Sequence, residues 1–431
     1  MSLVMFFQTP TTPTPPETTP TPPSVDVGLL TATRQIAQSS RYSRLNFSVP
    51  EDTTYAAEYV APHDCTSLSL VYSAIDSTSG QTATIGAAVV VGGKLHQAKF
   101  GTNARATVIA AATPEGRWAT ATVDVTLPAG TTFVVHTFVE AGGFVMRGAA
   151  AQGGPITATP GDRTVPGSDP IPMTSPHITE AIVGPVAIIG KTRPSTLAVA
   201  GLGDSIMEGG ADANYGKGAG GFFYRALRVA GVPGTNFGIW ADDFTRDPSV
   251  DRRYGGLLPN YTHAVCEYGT NALTGVVVHS GGDWKDLGRS AIRFWTWVAG
   301  FGVKLAQTTL TPKVKSTDGY TTVDGMSPSG AATEAVRKAY NAWVMDRAPM
   351  ISGAPVDPGT AEALRAGDTG HPLVDIIDTN AAVAATNSRG EEVFDVDPGG
   401  VKLTADEAHP SPAGHARMAV PVRQWIESLS A

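Results

Sequence analysis

The sequence predicts two folded units of different class: an N-terminal antiparallel β-sandwich, jelly-roll-like, at residues 41–150, and a C-terminal α/β/α three-layer unit with a mostly parallel sheet at residues 179–431. Three observations predict this division. From residue 41 to 150, short stretches alternate apolar and polar side chains at period two between clusters of Gly, Pro, Asp and Ser, without a convincing helical period. After residue 179, strand-length apolar runs alternate with amphipathic helical stretches, the pattern of βαβ units. Between the two lies AAQGGPITATPGDRTVPGSDPIPMTSP, residues 150–176, whose Gly, Pro and Thr content marks a linker, set at 151–178.

Residues 1–40 read as a Thr/Pro-rich tether and lead-in, since QTPTTPTPPETTPTPPS, residues 8–24, holds almost nothing that could enter a core. A tether suits attachment to a larger assembly, and a tail without a task explains it equally well. Strands of the β-unit are read in RLNFSV, AAEYVA, TSLSLVYSA, ATIGAAVVV, WATATVDVTL, TTFVVHTFVEA and GFVMRG. In the second unit TLAVAGL reads as a buried strand, GGFFYRALRVA as a helix closed by Gly231, and THAVCEY as a second strand. KDLGRSAIRFWTWVAGF reads as a helix, VKLAQTTL as a strand, residues 331–347 as a helix, LVDIID as a strand, and PAGHARMAVPVRQWIESL as the closing helix. Sheets of this kind hold their sites at the carboxyl ends of the strands.

Composition excludes several functions. A formal charge of −8, a pI near 5.6 and no Lys/Arg cluster argue against a nucleic-acid partner. No apolar run reaches the roughly 18 residues of a membrane span. MSLVMFF lacks a basic n-region and a cleavage-like site, so no signal peptide is assigned and the compartment stays open. The tether and β-unit fit an extracellular or virion-associated protein. Cys65 and Cys266 fall in different units and read as free buried thiols, and no Cys/His cluster suggests a metal.

Three short stretches carry chemistry. GLGDSIMEGG, Gly201 to Gly210, puts Ser205 where the strand TLAVA ends and the chain turns toward a helix. Asp and Ser are also what any helix N-cap prefers. DEAHPSPAGH, Asp406 to His415, puts an aspartate three positions before His409 in a loop ahead of the last helix. A serine hydroxyl needs a base and the base an orienting carboxylate, and His409 and Asp406 could supply both. EYGTNAL, Glu267 to Leu273, follows the strand THAVCEY, and the Asn271 amide suits a developing oxyanion, although a turn residue after Gly269 is the plainer reading.

Taken together, from about residue 195 to the end, the chain resembles the SGNH hydrolases, the GDSL esterases and lipases. Gly203-Asp204-Ser205-Ile206 matches their first block, Gly269-Thr270-Asn271-Ala272 their G-x-N-D block, and Asp406-Glu407-Ala408-His409-Pro410 their D-x-x-H-P block. The resemblance implies Ser205 as nucleophile, His409 as general base and then acid, and Asp406 as its orienting partner. It further implies an oxyanion hole of the N–H groups of Ser205 and Ala241 with the Asn271 amide, and no cofactor. Two positions depart. In Asn236-Phe237-Gly238-Ile239-Trp240-Ala241-Asp242, alanine stands where the family's second block has glycine, which makes Gly238 the alternative donor. Ala272 replaces the block's aspartate.

The competing readings are a longer-chain lipase or thioesterase of the same family and a catalytically idle glycan-binding or structural protein, to which Ala241 and Ala272 lend support. GADANYGKG, Gly210 to Gly218, fails as a phosphate loop on spacing and on Gly218, and no G-x-S-x-G is present. Polar, glycine-rich loops favour short acyl chains. By analogy with esterases that carry a β-sandwich, the expected substrate is a small acyl ester or an acylated polysaccharide, with Trp240, Trp284 and Tyr320 as candidates for stacking on sugar.

Overall fold

Period-two alternation in the first half builds two antiparallel sheets around one core. In the computed structural model, which describes residues 25–37, 40–41, 51–73, 82–109, 118–141, 156–171, 184–212, 220–245 and 254–429, the strands are β1 (Ala32–Gln35), β2 (Ser40–Arg41), β3 (Thr53–Ala61), β4 (Cys65–Ser73), β5 (Thr82–Val91) and β6 (Lys94–Gln97). They continue as β7 (Arg105–Ile109), β8 (Trp118–Leu127), β9 (Thr131–Ala141), β10 (Ile156–Pro160) and β11 (Ala187–Thr192). One sheet has the order β1-β11-β4-β8, the other β10-β3-β9-β5-β6, with β7 also on β5. The Thr/Pro tether and the stretches RLNFSV and GFVMRG lie outside the described residues.

Leu68, Leu70 and Tyr72 of β4 face the core shared with Tyr55, Tyr59, Ile85 and Val89 of the second sheet. Val71 points the other way and joins Ala187 and Ile189 of β11 in the core of the α/β unit, while Ile188 stays with the first core. Strict alternation along β4 and β11 thus gives one sheet two buried faces and couples the units.

Three boundaries differ from the sequence reading. The supposed lead-in supplies β1, paired with β11, and β2, paired with Thr235 and Asn236 in the parallel sheet. The supposed linker supplies β10, an edge strand on β3, where Pro160 is tolerated because an edge position need not donate its missing N–H. Ala187–Thr192, expected in the second unit, belongs to an antiparallel sheet of the first. Both cysteines are buried thiols outside any disulfide. Among the described residues no helix is long and apolar enough to cross a membrane.

The second unit carries β12 (Val199–Leu202), β13 (Gly234–Asn236), β14 (His263–Cys266), β15 (Lys304–Thr308), a hairpin of β16 (Val314–Ser316) and β17 (Met326–Pro328), a small hairpin of β18 (Met350–Ile351) and β19 (Ala354–Pro355), and β20 (Leu373–Ile377). The main sheet is β2-β13-β12-β14-β15-β20, with every pair parallel. Its helices are α1 (Ser205–Glu208), α2 (Phe222–Ala230), α3 (Thr270–Thr274), α4 (Trp284–Ala299), α5 (Ala331–Met345) and α6 (Pro412–Ser428). Successive strand residues serve opposite faces. Ala200, Ala264 and Leu305 pack on Phe294 and Trp295 of α4 and Trp343 of α5, whereas Val199, Val265 and Ala306 pack on Phe223 of α2 and Val422 of α6. The connection order reverses between β12 and β14, so a crevice is expected beyond their carboxyl ends.

Candidate active site

That crevice is where Ser205 and Asn271 emerge, from the ends of β12 and β14. Ser205 opens α1 and is only 7% exposed. The turn is tight because Gly203 meets the neighbouring strand: a Cβ there would lie 2.5 Å from Glu267 Oε2. The first-turn N–H groups, which lack intrahelical partners, are taken up by two carboxyls. Asp204 Oδ1 accepts from Ile206 N–H at 2.9 Å, and Glu267 Oε2 accepts from the N–H of Asp204 and of Met207, each at 3.2 Å. Among the described residues the Ser205 N–H has no acceptor, and Ser205 lines the cleft.

Asp204 and Glu267 are both buried and hydrogen-bonded to each other. Burial pushes Asp204 up to about 6 and, together with the adjacent Asp204 charge, pushes Glu267 well above the usual carboxylate range. Two carboxyls in one dry site cannot both ionise cheaply, so the pair holds a proton, on Glu267.

Asn271 joins two loops. Its Nδ2 donates to Asp204 Oδ2 at 3.2 Å and to the carbonyl of Asp242 at 3.0 Å. The Asp242 side chain accepts from Tyr268 Oη at 2.6 Å, so the turn bearing Ala241 is fixed to the end of β14 at two points. Ala241 adopts φ +59°, a left-handed conformation unusual for a residue with a Cβ. Its N–H has no acceptor among the described residues, whereas the N–H of Gly238 is bonded to Asn236 Oδ1 at 2.8 Å. The alternative donor Gly238 is therefore already engaged.

His409 reaches across from the loop before α6. Its Nε2 lies 2.9 Å from Ser205 Oγ and its Nδ1 2.8 Å from Asp406 Oδ2. Asp406 Oδ1 also accepts from the N–H of Ala408 and of His409, each at 2.8 Å. Partial burial works against the Asp406 carboxylate, but these bonds and the imidazole hold it below its ordinary range. Buried Thr404 Oγ1 bridges the carbonyls of Asp406 and His409, and Ser411 caps α6 ahead of Pro412, which fixes where the loop ends. With Nδ1–H donating to Asp406, the neutral ring presents an Nε2 lone pair to the serine hydroxyl, so the chain of bonds can draw off its proton.

His415, buried in α6, was not singled out from the sequence. Its Nε2 donates to the Gly210 carbonyl at 2.9 Å and its Nδ1 accepts from Phe222 N–H at 3.2 Å, and burial lowers it to about 4. It pins Gly210 against the His409 loop, where a Cβ would lie 2.9 Å from His409 Cδ2.

Ser205, Trp240, Ala241, Asn271, Asp406 and His409 all line one open cleft of about 320 Å³. Trp240 stacks on His409 with ring centroids 4.9 Å apart and is 46% exposed. The other two sugar-stacking candidates are not in the lining. Trp284 packs beside Trp343 at the edge of the α/β core, and Tyr320, whose phenol is raised by burial and by the charges of Asp406 and Glu407, packs against the core on the α2 and α6 side of the sheet. Sequence reasoning also missed Glu267, although a carboxylate closing the apolar run THAVC was a visible signal. Among the described residues no cluster of His, Cys, Asp and Glu could hold a metal ion.

No protein-family model and no curated protein matches the chain. Among solved structures it is similar to GDSL/SGNH acylhydrolases and family 2 carbohydrate esterases. A putative acylhydrolase from Bacteroides fragilis is 14% identical over 54% of this chain and 88% of its own, with TM-score 0.33. A family two carbohydrate esterase from Clostridium thermocellum in complex with cellohexaose is 13% identical over 92% of this chain and 94% of its own, with TM-score 0.37. A carbohydrate esterase family 2 enzyme with a carbohydrate binding domain from Corynascus thermopiles is 12% identical over 92% and 99%, with TM-score 0.34.

Proposed function

We propose that the protein is a serine ester hydrolase that removes short acyl groups, acetyl foremost, from a carbohydrate. The observation that carries this reading is the run of hydrogen bonds from Ser205 Oγ through His409 to Asp406 at the carboxyl edge of the parallel sheet. His409 Nε2 takes the hydroxyl proton as Ser205 Oγ bonds to the acyl carbon. The tetrahedral oxyanion is met by the free N–H groups of Ser205 and Ala241, with Asn271 beside them. Collapse breaks the bond to the alcohol oxygen, which receives the proton from the imidazolium. Water, activated by the same base, then releases the acid and restores Ser205.

Short acyl groups suit a cleft that is open to solvent rather than a deep apolar slot. Carbohydrate suits Trp240, an exposed indole beside the imidazole. We assign the N-terminal unit, as a jelly-roll-like sandwich, to glycan contact or to attachment. The idle-protein reading is favoured by one observation, that both Asn271 amide hydrogens already have acceptors.

The test is hydrolysis of p-nitrophenyl esters from acetate to octanoate by wild type and Ser205→Ala. Cleavage of acetate that declines with acyl length and vanishes in the variant is expected. An octanoate optimum would overturn the short-chain assignment, and equal rates in the two proteins would overturn the esterase.

A further inference from the structure

The cleft does not end at its catalytic residues. A second cavity of about 240 Å³ adjoins it, and the two share Lys313 and Glu407 as a common wall. Lys313 precedes β16 and is half-buried. Its ammonium donates to Thr274 Oγ1 at 3.3 Å, and among the described residues it forms no ion pair. A cation drawn partly out of water without a counter-charge is costly, which makes the position suited to an anion brought from outside.

The cross-strand neighbour of Lys313 adds a polar group to the same side of the cavity. Ser329 Oγ is buried and has no hydrogen-bond partner. Immediately after it, α5 begins at Gly330, which has no side chain to cap the helix, so its positive end opens on the same cavity. The acidic side chains nearby do not neutralise this face. Glu334 is held in a two-bond pair, at 2.7 Å each, by buried Arg337, and Glu407 is exposed at the rim, where solvent screens it.

We infer that this cavity binds an anionic group, a carboxylate or a phosphate, carried by the ester substrate beyond its acyl group, with Lys313 as the specificity-determining residue. The inference rests on the esterase reading for the role of substrate, but the binding itself is measured without turnover. The acylated alcohol would therefore be an acidic sugar rather than a neutral one, with Lys313 between the scissile ester and the charge.

The test is calorimetric titration of the full chain with trigalacturonate, galactose 6-phosphate and neutral galactotriose at low salt. An anionic ligand is expected to bind about tenfold or more tightly than the neutral one. A response to trigalacturonate alone identifies a carboxylate, and a response to galactose 6-phosphate alone a phosphate. The preference should vanish in Lys313→Gln, survive in Lys313→Arg, and shrink with added salt in wild type, a readout that needs no variant to fold. Equal binding of neutral and anionic ligands, no binding of either, or a preference that survives Lys313→Gln would overturn the inference. p-Nitrophenyl acetate hydrolysis is run alongside. Hydrolysis without anion preference sinks only this inference, and anion preference without hydrolysis sinks only the esterase reading.

Discussion

Replacing Asn271 with alanine separates two accounts of the oxyanion hole. Loss of an oxyanion donor typically costs about 10²- to 10³-fold in rate, or roughly 3–4 kcal/mol. That figure assumes a donor that is free in the resting enzyme. Here one Nδ2 hydrogen is bonded to the Asp242 carbonyl at 3.0 Å and the other to Asp204 Oδ2 at 3.2 Å. Serving the oxyanion means sharing or surrendering the longer bond, and a hydrogen bond to a carboxylate is worth about 1.5–3 kcal/mol. The difference leaves about 0–2.5 kcal/mol, so Asn271→Ala should lower kcat on p-nitrophenyl acetate by at most about 70-fold with KM little changed. A melting curve beside the kinetics registers any loosening of the Ala241 turn, which Asn271 also ties down. A fall of a thousandfold or more with an unchanged melting temperature would refute the reasoning, because it would require Asn271 to be a fully available donor.

Two further outcomes follow from the same turn. Ala241 at φ +59° carries about 1–2 kcal/mol of left-handed strain, of which glycine's greater unfolded-state entropy takes back about 0.4–1. Ala241→Gly should therefore raise stability by up to about 1.5 kcal/mol and leave kcat within about threefold, since the N–H remains; destabilisation together with a tenfold loss of rate would show that the methyl group has a positive task. The carboxyl pair sets a pH dependence. Asp204 is held up to about 6, so between roughly pH 4 and 6 the folded chain keeps a proton that the unfolded chain has released, and this contribution to stability falls as pH rises through that window and is flat above it. In Asp204→Asn, whose side-chain oxygen can still cap Ile206, the slope of unfolding free energy against pH over that window should flatten, by at most about 3 kcal/mol across it. Urea unfolding at a series of pH values reads it, and identical slopes in the two proteins would show that Asp204 is not held up in the folded chain.

The strands and helices of the second unit were legible because their burial is two-sided and their caps are chemical. THAVC and TLAVA are apolar at consecutive positions because Ala264 and Val265, or Val199 and Ala200, feed opposite cores, and Gly231 ends α2 at φ +67° as a helix-closing glycine should. The domain boundaries were not legible. β1, β10 and β11 are short or edge strands whose partners lie far away in sequence, Ala32 against Thr192 and Pro160 against Thr53, so no local period announces them. A Thr-rich stretch with Pro160 reads as linker until the edge position that excuses the proline is known.

The site divides along the same line. Ser205, Asn271, Asp406 and His409 could be singled out because each stands at an element end, where chain direction and capping chemistry leave a signature in neighbouring Gly, Asp and Pro. What holds them could not, since Glu267 and His415 bond backbone groups of other segments, Tyr268 bonds the distant Asp242 carboxylate, and Thr404 bonds two carbonyls of its own loop. The aromatic candidates show the limit most plainly. Trp240 and Trp284 are indistinguishable as letters, yet Trp240 follows the Gly238 turn onto the imidazole, whereas Trp284 sits one residue after the Asp283 cap of α4 and is drawn against Trp343. Exposure at a turn and position inside an amphipathic helix decide between stacking surface and core, and only the helix half of that distinction is written in local sequence.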